Sequence, residues 1–338
     1  MANVIVTGAA GFIGSHLSRA LIKAGHAVAG VDNFDPFYDR AAKLDNVNRL
    51  AAAHAGFELI EADIRDASAT RETFARTRPA TVFHMAALAG VRPSIADPSR
   101  YASVNVDGLV SVLEAARAGG CRTVVFASSS SVYGNNLKVP FAETDGVDEP
   151  ISPYAATKRA GELICHTYAH LFGMRIAALR FFTVYGPAQR PDLAIAKFMR
   201  LIAAGEEVPM FGDGSTSRDY TFIDDIIQGV LAAYQRTSDL TSRFDGTLSA
   251  GGFFRTWNLG SDHPITLSEM IDAIAKVVGK PARIKRMPMQ QGDVERTWAD
   301  VTRSRLELGY EPRTPFSQGL VRQWEAAHRL AQVPQSIV

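Results

Sequence analysis

Tyr154 and Lys158 stand four residues apart in the run Pro153-Tyr154-Ala155-Ala156-Thr157-Lys158. On a helix that spacing puts both side chains on one face, one turn from each other. The residues that follow read as helix from Ala160 to His170. An ammonium beside a phenol favours the phenolate and lowers its pKa. A tyrosine placed this way can accept a proton near neutral pH, where a free tyrosine stays protonated. Tyr-xxx-Lys alone is a weak signal, because an exposed helix pair has the same spacing. Two other stretches give it weight: the serine run Ser128-Ser129-Ser130-Ser131 and the glycine-rich Gly8-Ala9-Ala10-Gly11-Phe12-Ile13-Gly14.

These groups need elements that bring them together. Val4-Ile5-Val6, closed by Thr7-Gly8, reads as a buried strand, and Phe12 to Lys23 carries apolar residues at helical spacing with Gly25 as its stop. The glycines therefore lie between a strand and a helix. Without side chains they let the backbone approach a pyrophosphate, which the helix N-terminus stabilises. Further strands are predicted at Ala27–Val31, Phe57–Glu61, Thr81–His84, Thr123–Phe126 and Arg175–Arg180, and Asn105 is expected to open a helix that continues to Ala116. Strands alternating with helices predict a doubly wound α/β fold with a mostly parallel sheet. Ligands of such sheets bind at the C-terminal strand ends, where the serines, Asp32-Asn33 and Met85-Ala86-Ala87 would lie. His84 also ends a strand, and we read it as a packed residue in preference to a base.

From about residue 186 the alternation lapses. Lys197–Ala204 and Ile226–Tyr234 read as helices, the second N-capped by Asp224-Asp225. Val208–Phe211 and Trp257–Gly260 read as strands, and Thr266-Leu267-Ser268-Glu269 starts a helix reaching Val278. Arg236 to Arg255 has no periodicity and reads as a loop. The expected division is a dinucleotide-binding domain over 1–185, recruiting parts of 215–260, and a smaller substrate domain mainly over 186–330.

Composition excludes several classes. A net charge of +1 offers no field for nucleic acid or an anionic membrane. Two cysteines, Cys121 and Cys165, cannot build a zinc cluster or a disulfide framework, so no metal is expected and the thiols suit a reducing cytoplasm. No apolar run approaches a membrane span, and the chain enters a strand at once without a basic leader.

The glycine loop, the serine run and Tyr154-xxx-Lys158 together resemble the extended short-chain dehydrogenase/reductase superfamily, in its NAD-dependent epimerase/dehydratase branch. The resemblance runs from about residue 2 to about residue 327 and is strongest to nucleotide-sugar 4-epimerases acting on UDP-glucuronate. Ala89-Gly90-Val91-Arg92, Phe181-Phe182-Thr183-Val184-Tyr185-Gly186-Pro187 and Arg190-Pro191-Asp192 carry that preference. UDP-glucose 4-epimerases commonly have lysine at the Ala89 position, asparagine at Thr183 and arginine at Gln290.

The resemblance implies roles. Counting back from Val132-Tyr133-Gly134, Ser129 matches the catalytic Ser/Thr, with Tyr154 the base and Lys158 the residue holding the nicotinamide ribose. Gly8, Gly11, Phe12, Ile13, Gly14, Asp32, Asn33, Asp63, Ile64, Ala86, Ala87 and Asn105 would contact the cofactor. A carboxylate at Asp32 accepts hydrogen bonds from the adenosine ribose and repels a 2′-phosphate, so NAD is expected over NADP, although Arg40 and Lys43 follow. Asp63 would meet the adenine amino group, cap the next helix, or both. The UDP-sugar would be held by Arg92, Ser130, Ser131, Thr183, Arg190, Phe211, Arg218 and Asp293, with Arg218 forking the diphosphate and Asp293 at the uridine ribose. Dehydratases of this branch carry Asp and Glu where Ser130 and Ser131 stand, and decarboxylases carry glutamate at Ser131. The expected reaction is therefore C4 epimerisation through a 4-keto sugar. A UDP-glucose or UDP-N-acetylhexosamine epimerase, a decarboxylase or dehydratase, and a non-enzymatic NAD-binding module are the alternatives. The helices near 105–118 and 154–171 would pair two copies into a homodimer, unless they are buried within one subunit.

Overall fold

The computed structural model describes residues 3–53, 56–239, 246–248, 251–289 and 294–331. The first part of the chain alternates: β1 (Asn3–Thr7), α1 (Phe12–Lys23), β2 (Ala27–Asp32), α2 (Arg40–Ala53), β3 (Phe57–Glu61), α3 (Ala67–Thr77), β4 (Thr81–His84), the short α4 (Val91–Ala96) and α5 (Pro98–Ala102), α6 (Gly108–Ala118), β5 (Thr123–Ser129), α7 (Pro153–Phe172) and β6 (Arg175–Phe181). Then follow β7 (Thr183–Tyr185), α8 (Ala194–Ala204), β8 (Glu207–Phe211), β9 (Ser217–Phe222), α9 (Ile223–Ser238), β10 (Phe253–Leu259), β11 (Pro264–Thr266), α10 (Leu267–Val278), β12 (Arg283–Met287), α11 (Thr302–Leu308) and α12 (Phe316–Ala331).

Seven parallel strands form the main sheet in the order β10-β6-β5-β4-β1-β2-β3. The chain leaves β1 toward β2 and β3, then returns to the other side of β1 to lay down β4, so the strand order reverses between β1 and β4. A crevice opens at the C-terminal ends of the strands at such a switch. Val4, Ile5 and Val6 are buried on alternate faces of the sheet, which is why this strand reads as an unbroken apolar run. Leu17 and Leu21 of α1 join Val4 and Val6 in the core on one face; Leu109, Val112 and Leu113 of α6 join Ile5 and Val124 on the other. Truncating Leu113, which is fully buried, to alanine should cost about 2–5 kcal/mol.

Several elements differ from their expected bounds. α7 begins at Pro153, not Ala160, because the Ser152 hydroxyl accepts from the Ala155 N–H at 3.1 Å and Pro153 fits the first helical position. That places Tyr154 and Lys158 in the first two turns. Asn105 opens no helix: the chain is helical from Pro98, with Asp97 as the cap, and Asn105 sits in a π-helical turn over Ser103–Asp107. Asp224 and Asp225 do not cap α9. Phe222 holds the cap position, and the two carboxylates lie in the first turn, where Asp225 accepts from the Arg313 and Thr314 N–H groups and Asp224 pairs with Arg322. α9 extends to Ser238 and β10 begins at Phe253, which shortens the expected loop from both sides.

The later elements form a three-stranded sheet, β11-β9-β7, and a parallel pair, β8-β12. Buried Asp219 ties β9 to the segments at 261–262 and 299: its carboxylate accepts from the N–H groups of Ser261, Asp262 and Ala299 and from the hydroxyls of Ser261 and Thr221, at 2.7–3.1 Å.

Candidate active site

β1 passes to α1 through a turn that only glycine permits. Gly8 has φ +69°, and a Cβ there would lie 2.8 Å from the Ala86 nitrogen; a Cβ on Gly14 would come within 2.0 Å of the Gly8 carbonyl oxygen. Gly11 caps α1 without a side-chain hydrogen bond, which leaves the first-turn N–H groups for an anion. The loop borders a cavity of about 410 Å³ that runs along the strand ends.

At the end of β2, Asp32 accepts from the N–H groups of Ala10 at 3.1 Å and Phe34 at 2.8 Å, and Lys43 approaches it at 3.8 Å. Burial pushes its pKa up, and Lys43 and the two backbone donors oppose that rise. Lys43 also donates to the Asp35 carbonyl at 2.9 Å, and Arg40 pairs with Glu61 at 3.1 Å while its guanidinium lies 4.4 Å from the Phe34 ring. Both cations that weighed toward a 2′-phosphate are thus engaged by carboxylates. Asn33 donates to Asp63 at 3.0 Å, and the Arg65 fork brings the Asp63 pKa down to about 2. Asp66, not Asp63, caps α3.

β5 delivers Ser128 and Ser129 to the same cavity. The Ser129 hydroxyl accepts from the Ser131 N–H at 3.1 Å and shares a hydrogen bond with the Ser131 hydroxyl at 2.9 Å. Tyr154 faces it from α7. Burial raises the Tyr154 pKa; a hydrogen bond from Ser129 and the charge of Arg190 pull it back. Lys158 contributes no direct lowering: its ammonium donates one hydrogen bond to the Ala127 carbonyl at 2.7 Å and stands 6.0 Å from the centre of the Tyr154 ring. His84 is fully buried 2.9 Å from the Thr7 hydroxyl, and burial drives its pKa down to about 3, as suits a neutral packed residue.

Behind these groups lies a buried ion pair that sequence reasoning missed. Glu162 of α7 receives Ser128 at 2.6 Å and Arg180 of β6 at 2.8 and 2.9 Å; Arg180 also donates to the Tyr133 hydroxyl, which donates to Asn258 of β10 at 2.7 Å. One polar chain so connects the serine run, the tyrosine helix and three strands. Its only signal is two charged residues in stretches otherwise destined for the core.

The cavity wall includes Ser129, Tyr154 and Lys158, the loop residues Gly8, Gly11, Phe12, Ile13 and Gly14, and Asp32, Asn33, Asp63, Ile64, Ala86 and Ala87. Ser130, Ser131, Thr183 and Arg190 line it as well. Asn105 does not line it. Its amide accepts from the Leu88 N–H at 2.8 Å and donates to the Leu88 carbonyl and the Thr157 hydroxyl at 3.0 Å each, so it braces the wall from behind. Arg92, Phe211 and Arg218 also lie outside the wall. The Arg92 guanidinium is 5.1 Å from the Phe211 ring, and Arg218 donates to the carbonyls of Ser217 and Glu295. Asp293 and Gln290 fall outside the described residues. Phe37 and Tyr38 line the cavity without having been foreseen, with Arg190 stacked 4.9 Å over the Phe37 ring and paired to Asp192 at 2.8 Å. Among the described residues, no helix is long and apolar enough to cross a membrane.

A family profile described as GDP-mannose 4,6 dehydratase matches residues 5–323. UDP-glucuronate 4-epimerase 5 of Arabidopsis thaliana is 42% identical over 322 residues, covering 94% of this chain and 73% of that protein. The crystal structure of UDP-glucuronic acid 4-epimerase from Bacillus cereus, in complex with UDP-glucuronic acid and NAD, is similar with a TM-score of 0.86 and 32% identity, over 97% of this chain and 99% of that one. UDP-glucose 4-epimerase of Thermotoga maritima, solved with UDP-glucose, is similar with a TM-score of 0.86 and 31% identity, over 98% and 100%. The match extends through the cofactor loop, the serine run, the tyrosine helix and the later sheets alike, and the chain belongs to the GDP-mannose 4,6 dehydratase family of the extended short-chain dehydrogenases/reductases.

Proposed function

We propose that this protein inverts C4 of a UDP-sugar with NAD as its cofactor, and that its preferred pair is UDP-glucuronate and UDP-galacturonate. The observation that carries the reading is what surrounds Ser129 and Tyr154: hydroxyls at Ser130, Ser131 and Thr183 and the guanidinium of Arg190, with no carboxyl at positions 130 and 131. A dehydratase or decarboxylase of this superfamily needs an acid there. The glycine cradle fits a dinucleotide pyrophosphate, and Asp32, with Arg40 and Lys43 already paired, fits an unphosphorylated ribose. Relatives named as UDP-glucuronate 4-epimerases support the same reading.

Tyr154, whose phenolate the positive charge of an oxidised nicotinamide would favour against the burial that disfavours it, removes the 4-hydroxyl proton, and the Ser129 hydroxyl, bonded to Tyr154, orients the reacting oxygen. NAD, held by the glycine loop and Asp32, would supply the acceptor and later the donor of the C4 hydride. The sugar turns about its phosphate linkage between the two transfers, so its opposite face meets the same Tyr154, which gives the proton back. C4 is inverted without net oxidation.

For a glucuronate, oxidation at C4 makes a ketone β to the C5 carboxylate, and such acids lose CO₂ when the C5–C6 bond aligns with the carbonyl π system. We assign Ser130, Ser131, Thr183 and Arg190 to holding the carboxylate out of that alignment. We further assign Arg218 to the diphosphate and Asp293 to the uridine ribose, with Phe211 as a substrate contact and Arg92 as a second candidate for the carboxylate. We further propose that residues 1–185 with parts of 215–260 form the cofactor domain and that 186–330 mainly form the substrate domain. The protein would act as a cytoplasmic homodimer.

The second reading is a UDP-glucose 4-epimerase, favoured by the equal TM-score to the Thermotoga maritima enzyme; Ala89 and Thr183 weigh against it. A panel of UDP-sugars, with products identified by NMR, separates the two. A higher kcat/KM on UDP-glucuronate than on UDP-glucose is expected, and the reverse order would overturn the substrate assignment.

A further inference from the structure

α1, which presents the cofactor loop, also carries a histidine that reaches the opposite side of the site. His16 is 7% exposed, and its Nε2 lies 2.9 Å from the carbonyl oxygen of Pro187. Its Nδ1 lies 2.8 Å from Nη2 of Arg19. Arginine has only donors, so Nδ1 must accept; a carbonyl only accepts, so Nε2 must carry the proton. The two contacts leave a single tautomer, neutral and oriented. Burial and the Arg19 charge bring the His16 pKa down to about 4, against the opposing pull of the Pro187 hydrogen bond and of Asp224, with Arg322 adding to the fall. The ring therefore stays neutral through the working pH range.

Pro187 begins the stretch that carries Arg190 into the cavity, and that stretch is not relaxed. Ala188 has φ +63°, a left-handed conformation unusual for a residue with a Cβ. Side chains from two elements hold it, and Gln189 within the stretch adds its own ties. His16 grips Pro187 from α1. Gln323 of α12, 5% exposed, accepts from the Gly186 N–H at 2.9 Å and donates to the Gln189 side chain at 2.8 Å. Gln189 itself donates to the Val184 carbonyl at 3.0 Å and accepts from the Ala196 N–H at 3.2 Å. Beyond these clamps, Arg190 projects over Phe37 into the cavity.

We infer that His16 is a positioning residue for the substrate: it fixes the loop from Gly186 to Leu193, and through it Arg190, against the helix that cradles the cofactor. The inference rests on the reading of Arg190 as a partner of the sugar carboxylate. It makes α1 a common reference for both ligands, so that the reacting carbon is set relative to the cofactor by one helix.

The test measures steady-state kinetics on UDP-glucuronate, together with released cofactor and melting temperature, for wild type, His16→Ala, His16→Gln, Arg190→Ala and the His16→Ala/Arg190→Ala double variant. His16→Ala should raise KM roughly tenfold, the effect of one lost buried hydrogen bond, with kcat within about threefold and cofactor content unchanged. His16→Gln, which keeps a donor for Pro187, should recover most of the loss. In the Arg190→Ala background, His16→Ala should add less than about twofold, because both act through one group. If Arg190→Ala raises KM while His16→Ala does not, or if His16→Ala is as damaging without Arg190, the inference is overturned and the substrate reading stands. If Arg190→Ala leaves KM unchanged, the reading of Arg190 fails and the inference goes with it. Should His16→Ala not fold, Gln323→Ala frees the same loop from the other side and carries the same expectations.

Discussion

Lys158 Nζ lies 2.7 Å from the carbonyl oxygen of Ala127 but 6.0 Å from the centre of the Tyr154 ring. The ammonium is fastened to the end of β5, one residue before the serine run, and acts on the phenol only at a distance. Its other close neighbours are the Phe126 ring at 5.3 Å and Cys165, with Glu162 on the same helix supplying negative charge. Burial brings its pKa from 10.5 down to about 8. The lysine is thus held as a cation in a place that disfavours one.

That cost has a sign that can be measured. The unfolded chain binds the lysine proton more tightly than the folded one, so stability rises as pH goes from about 8 to 10.5, and the full cost is present below 8. Lys158→Met should remove a penalty on the order of 3 kcal/mol, offset by about 1 kcal/mol for the Ala127 carbonyl left without its donor. Calorimetry at pH 7 should show a melting temperature at or above that of wild type, together with loss of turnover. A variant that melts well below wild type would refute this account of the site.

Tyr154→Phe should lower turnover by at least about a hundredfold, the lower end for removing a positioned base. The ring is buried and packs edge-on to Tyr101 at 6.2 Å, so the variant should fold and keep its cofactor. Single-turnover assays together with released nucleotide separate the two effects. Near-normal turnover would remove Tyr154 from its role.

The purified protein should carry NAD. Denaturation followed by enzymatic assay of the supernatant should find NAD in clear excess over NADP, because Asp32 is buried, bonded to two backbone N–H groups, and closed to a second anion. Lys43→Ala should not convert the preference, since it removes the cation beside Asp32 and leaves the carboxylate. A preparation holding mainly NADP would show that Arg40 or Lys43 can leave its present partner.

α7 leaves Leu163, Leu171 and Phe172 exposed at 53%, 60% and 42%, beside α6, to which it is joined by the Tyr168–Glu114 hydrogen bond at 2.7 Å. A second copy covering this face would account for them. Leu163→Glu/Leu171→Glu should sediment as a monomer where wild type sediments as a dimer, with little change in melting temperature at low protein concentration. Wild type that is monomeric at micromolar concentration would dispose of the dimer.

The strands of the main sheet could be read from the chain because a buried parallel strand is an apolar run between turn residues, and Val4-Ile5-Val6 or Thr123–Phe126 needs no distant information. The glycine loop was legible for the same reason. What escaped depends on partners far along the chain. Asp224-Asp225 before an apolar run has the form of a cap, but their partners are Arg313, Thr314 and Arg322. Glu162 and Arg180 gave no local reason to meet, and neither did Arg190 and Phe37. Asn105 had the right chemistry for a cofactor contact, yet Leu88 and Thr157 take its amide.

The main sheet is completed out of order. β10 lies against β6 in register from Arg175–Phe253 to Phe181–Leu259. A ribosome releasing this chain finishes β6 at Phe181 and does not begin the neighbouring strand until Phe253. Throughout that interval the nascent sheet exposes an unpaired backbone edge carrying Ile176 and Leu179, which invites pairing with another chain. A gene truncated after Tyr185 would encode that same open edge permanently, and the shortest N-terminal product able to close it ends beyond Leu259.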